Sequence, residues 1–140
     1  MSEWAFEHSV QAQVTPEKAW AFWTNVRNWS FDPSLESVEL DGPFEAGARG
    51  VTKPRRGDPI EWSIREAAPG HAVIEIPLPG ALVEFHWTFA RVEGGTRITQ
   101  RVTLSGAGWG QYLGVAESQL AVGIPEGMSK LAELMGRPGD

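Results

Sequence analysis

The sequence contains no cysteine, which removes disulfides, thiolate metal sites and cysteine nucleophiles together. No apolar run approaches the roughly 18 residues that a membrane-crossing helix needs, so no stable membrane insertion is expected. The first ten residues lack the basic start and apolar core of a signal peptide, and a cytoplasmic location is the default expectation. Basic residues are also short: 12 Lys and Arg against 18 Asp and Glu leave a net charge of −6. That balance opposes non-specific nucleic-acid binding, which draws its affinity from neutralised phosphates. The three histidines, His8, His71 and His86, fall on different predicted elements. Nothing has metal-ligand spacing. A nucleophile elbow, a P-loop and a dinucleotide fingerprint are all missing. Neither a metal nor a cofactor is expected.

What is present fits one globular domain spanning residues 1–140, with 41% apolar and 21% charged residues. Tryptophan is abundant, seven against a single tyrosine. An indole needs room and usually a partner for its N–H, so several in a small domain suit a large core or a pocket with aromatic walls.

Period-two alternation predicts a strand over residues 4–14, with Trp4, Phe6, His8, Val10, Ala12 and Val14 on one face. Thr15 and Pro16 then form a helix start, an N-cap followed by proline at the first helical position. A second short helical piece is predicted over 28–33. Strands follow at 35–40, 48–53, 60–65, 73–78, 83–89 and 96–104, joined by Gly/Pro turns. Ile60, Trp62, Ile64, Phe85, Trp87, Phe89, Ile98 and Val102 should be covered. Strands with one apolar and one polar face imply an antiparallel sheet covered on one side. The cover is the segment 109–135, where Leu113, Ala116, Leu120, Ile124, Met128, Leu131 and Met135 make one stripe. Pro125 lies inside that pattern and is expected to kink or restart the helix.

Strand, two short helices, six strands and a long helix, in that order, resemble the START-like or SRPBCC superfamily. That superfamily includes the birch-pollen-allergen fold and bacterial polyketide cyclase/dehydrase-type proteins. The resemblance is carried by residues 12–20 with their Thr15-Pro16-Glu17 helix start and Trp20, by 26–29 and Asp32-Pro33, and by 40–42 and Gly47. Residues 66–70 and 93–99 complete it. It implies an α+β helix-grip fold: a curved antiparallel sheet of about seven strands around a long C-terminal helix, enclosing a cavity. The resemblance implies an apolar or amphipathic small-molecule ligand, lipid or polyketide-like, but no particular activity.

A polar residue on a strand's covered face points into such a cavity. His8, between Phe6 and Val10, and Gln100, between Ile98 and Val102, could each fix the polar end of a ligand. Either could instead be a core residue bonded to backbone. At 100° per residue, Glu117 falls within the helix stripe and could act as general acid or base, or bind a ligand hydroxyl beside His8. A later helix start or a phase reset would leave it in water. Trp62, Phe85, Trp87, Tyr112 and Leu120 complete the expected ligand-binding set, around a cavity of roughly 300–1,000 Å³. Lys53, Arg55 and Arg56 form a basic turn, and residues 76–82 an apolar hairpin tip that suits an interface or pocket lip. Three functions remain open at this point. The chain could be a binding protein, a cyclase/dehydrase-type enzyme using His8 or Glu117, or a chaperone- or stress-related interaction protein; a homodimer is also possible.

Overall fold

A computed structural model describes residues 3–31 and 35–136. The chain order is β1 (Trp4–Ala12), α1 (Pro16–Thr24), a 3₁₀ turn (Val26–Phe31) and then the strands β2 (Leu35–Leu40), β3 (Arg49–Pro54), β4 (Ile60–Ala68), β5 (His71–Leu78), β6 (Ala81–Val92) and β7 (Gly95–Ser105). After a 3₁₀ turn (Trp109–Tyr112) the chain stays helical through α2 (Leu113–Val115), a π-helical stretch (Ala116–Leu120) and α3 (Ala121–Met135). All seven strands form one antiparallel sheet in the order β1-β7-β6-β5-β4-β3-β2. This is the expected helix-grip arrangement of curved sheet and long C-terminal helix. Among the described residues, no helix is long and apolar enough to cross a membrane.

Alternation builds the sheet as expected, with β1 half-buried and exposed by turns along its length. It ends at Ala12 rather than Val14. The fully buried Thr96, at the start of β7, donates its hydroxyl to the Val14 carbonyl at 2.8 Å. That side-chain bond replaces a ladder bond and lets the chain turn away. Thr15 then caps α1, its hydroxyl accepting from Lys18 N at 3.2 Å. The second short helix begins two residues earlier than expected because Asn25 starts it, its side chain accepting from Arg27 N at 3.2 Å. Asp32 and Pro33 lie outside the described residues.

Packing against the sheet follows the predicted helix stripe: Ala116, Met128, Leu131 and Met135 are buried, and Val122 on the far side is 65% exposed. Pro125 neither ends nor restarts the helix, which runs through it to Met135. The irregularity sits one turn earlier, where Ala121 N donates to Ala116 O in a widened π turn. Of the strand residues expected to be covered, Ile60 is 40% exposed at the opening of β4, whereas Trp62 and Ile64 are buried.

The β5–β6 hairpin tip is clasped rather than free. Tyr112 Oη and Gln111 Nε2 both donate to the Pro79 carbonyl, at 2.8 and 3.2 Å, and Gly108 N donates to Gly80 O at 2.7 Å. The approach needs glycine. Gly106 has φ +103°, and a Cβ on it would lie 2.8 Å from the Gly80 oxygen.

Candidate functional site

α1 and the 3₁₀ turn after it set one wall of the site. Asn28 Nδ2 donates to Phe22 O at 2.9 Å and Trp29 Nε1 to Trp23 O at 2.6 Å. Both satisfy carbonyls that the end of α1 leaves without helical partners. The same bonds fold Trp29 back beside Trp23, ring centroids 5.5 Å apart. Trp29 then stacks on Trp62 of β4 at 5.2 Å and 25°, and Trp23 lies 4.8 Å from Trp87 of β6. Four indoles thus run continuously from β4 to β6 across the concave face.

Trp62 takes its position from a missing side chain. Gly50 sits opposite it in the β3–β4 register, and any Cβ there would fall inside the indole's van der Waals envelope. With nothing at residue 50, the ring lies across β3, and Nε1 donates to Thr52 Oγ1 at 3.0 Å.

Between these indoles and the sheet is a cavity of about 210 Å³, lined by Trp23, Trp29, Leu35, Thr52, Trp62, Ile74, Ile76, Phe85, Trp87 and Gln100. None of these residues is charged. Gln100 on β7 is 7% exposed and lies between Trp87 and His8 in register, and its side-chain amide has no hydrogen-bond partner among the described residues. Its amide opens into the cavity. A shallower groove of about 760 Å³ between the end of α1 and β2–β3 is lined by Arg27, Glu39, Asp41 and Arg49 with their neighbours, largely exposed and of both charges.

Of the residues expected to bind ligand, Trp62, Phe85, Trp87 and Gln100 line this cavity. His8 is on the same sheet face, half-buried beside Gln100, but outside the lining. Tyr112 is engaged at the hairpin tip, and Leu120 packs against Val83, Val102, Leu104 and Ala116. Glu117 is exposed. The buried stripe is centred on Ala116, and the next residue lies about 100° further round. Glu117 and His8 therefore share no cavity. The space is also smaller than expected and, among the described residues, takes no lining from the C-terminal helix; α1 and the 3₁₀ turn supply that wall.

Sequence reasoning missed Trp23, Trp29, Leu35, Thr52, Ile74 and Ile76. A signal existed for Trp23, because Ala19 and Trp23 are spaced i, i+4 and are both buried in α1. Among the described residues, no group of three or more His, Cys, Asp or Glu could hold a metal ion.

A family model described as polyketide cyclase / dehydrase and lipid transport matches residues 3–136. No curated protein matches the sequence. Among solved structures, the chain is similar to the di-domain ARO/CYC BexL from the BE-7585A biosynthetic pathway, with a TM-score of 0.76 and 18% identity over 96% of this chain and 51% of that one. It spans about half the length of that protein. It is also similar to Ara h 8.0201, with a TM-score of 0.73 and 15% identity over 94% of this chain and 97% of that one. A third likeness is to norcoclaurine synthase from Thalictrum flavum in complex with dopamine and hydroxybenzaldehyde. There the TM-score is 0.71 and the identity 9%, over 94% of this chain and 85% of that one. At these identities the likeness to solved structures shows the fold alone.

Proposed function

This chain belongs to the polyketide cyclase / dehydrase and lipid transport family, and from there we propose that it binds a planar, largely apolar small molecule in the tryptophan-walled cavity. The observation that carries the reading is the continuous aromatic wall of Trp62, Trp29, Trp23 and Trp87 facing a space lined by uncharged side chains. Aromatic faces favour offset or edge contacts with another ring, beyond the benefit of buried area. About 210 Å³ is below the usual range of roughly 300–1,000 Å³ for ligand pockets. A system of one or two fused rings suits it better than a long acyl chain. The norcoclaurine synthase complex, with its single-ring ligands dopamine and hydroxybenzaldehyde, is consistent with that class.

Binding is favoured over acid–base catalysis because the described lining contains no titratable group, and His8 and Glu117 both lie outside it. The test is titration with a panel of one- and two-ring aromatics and fatty acids, followed by tryptophan fluorescence and calorimetry. Saturable binding to the parent is expected for the aromatics. It should be lost in Ile76→Trp, which fills the cavity from β5 while circular dichroism shows the fold retained. A panel with no saturable binder would overturn the proposal.

A further inference from the structure

We propose that Gln100 selects the ligand's polar substituent, and that the cavity admits only rings whose buried part is uncharged. The inference rests on the reading of this cavity as a binding site and names its ligand class: neutral aromatics bearing one hydroxyl or carbonyl.

A primary amide offers two donors and two acceptor lone pairs. More than nine-tenths of Gln100 is buried, yet no described residue uses that amide. Among the described residues no side-chain polar atom is both shut off from solvent and unpaired, so the amide stays open to solvent through the cavity. A bound molecule that displaces that solvent must supply the hydrogen bonds in its place. Its neighbours across the ladder, His8 and Trp87, occupy the same sheet face without bonding to it. On the opposite wall Thr52 accepts from Trp62, which leaves the hydroxyl proton available as a second, weaker contact. Among the described residues, no charged side chain lines the space. An ionised ligand would therefore lose its hydration there with no counter-ion in return.

Three two-ring probes separate these claims. At pH 7, 2-naphthol should bind the parent about fivefold more tightly than naphthalene, the scale of one net hydrogen bond. Ionised 2-naphthoate should bind at least about tenfold more weakly than 2-naphthol. In Gln100→Leu the naphthol-to-naphthalene ratio should collapse to within about twofold. Gln100→Met serves the same purpose if the leucine variant fails to fold. Equal affinities for naphthol and naphthalene in the parent would overturn the inference while the binding reading stands. So would naphthoate binding as tightly as naphthol, or an undiminished ratio in the variants. If neither naphthalene nor naphthol binds, the cavity reading falls and this inference falls with it.

Discussion

Trp62 reaches the cavity wall because residue 50 is glycine, so the smallest side chain on β3 governs one of the largest on β4. Gly50→Ala should displace the indole, break its bond to Thr52 Oγ1 and strain its stack with Trp29. Overpacking of this kind costs about 1–3 kcal/mol, to be read from the midpoint of urea unfolding. A variant as stable as the parent, with unchanged near-ultraviolet dichroism, would show that the ring does not depend on that space. The contribution of Trp62 and Trp87 was legible from strand alternation alone, because period two fixes which face a residue occupies. Gly50 was not legible. Its effect comes from a register across two strands, and a glycine by itself does not reveal what lies over it. Glu117 failed for a related reason: a stripe of apolar residues fixes a direction on the helix only to within about one residue, or about 100°.

At the scale of elements, the hairpin tip and the start of the C-terminal helical segment are joined through two adjacent carbonyls. Tyr112 and Gln111 both donate to Pro79 O, and the adjacent backbone of Gly80 accepts from Gly108 N. The sequence marked residues 76–82 as an unusually apolar tip. It could not show that the partner covering them is the chain's own helix start, because that contact joins segments far apart in sequence. Tyr112→Phe keeps the ring and removes the hydroxyl donor. The change should cost about 0.5–1.5 kcal/mol and speed amide exchange in the Ala81 and Leu82 region. Unaltered exchange there would mean that Gly108 and Gln111 hold the tip without it. The element order was readable in full, since turn residues and periodicity both change at each boundary. The π stretch was not, because Ala116, Glu117, Ser118, Gln119 and Leu120 carry no residue type that marks a widened turn.

At the scale of the molecule, most buried apolar residues among those described fall into two clusters, one around Trp23, Trp62 and Leu131 and one around Val83, Val102 and Leu104. Ile76, Phe85 and Ile124 pack against both. Shared side chains of this kind couple the halves. Unfolding followed by tryptophan fluorescence, which reports mainly on the first cluster, should coincide with unfolding followed by far-ultraviolet dichroism. Separate midpoints would mean that the aromatic end melts on its own.

The strand order carries a consequence for the timing of folding. β1 has a single ladder partner, β7, pairing Trp4 with Leu104 and Ala12 with Thr96. Every other strand meets a neighbour adjacent to it in sequence. During synthesis β1 must therefore wait, its alternating apolar face and open backbone edge unpaired, until six further strands have emerged. Pairing across such separations is entropically late and tends to limit folding rates. An unpaired edge is also a template for another chain. The bonds of β1 to β7 are thus the last of the sheet to form, and the interval before they close is when a nascent chain is most open to association with its neighbours.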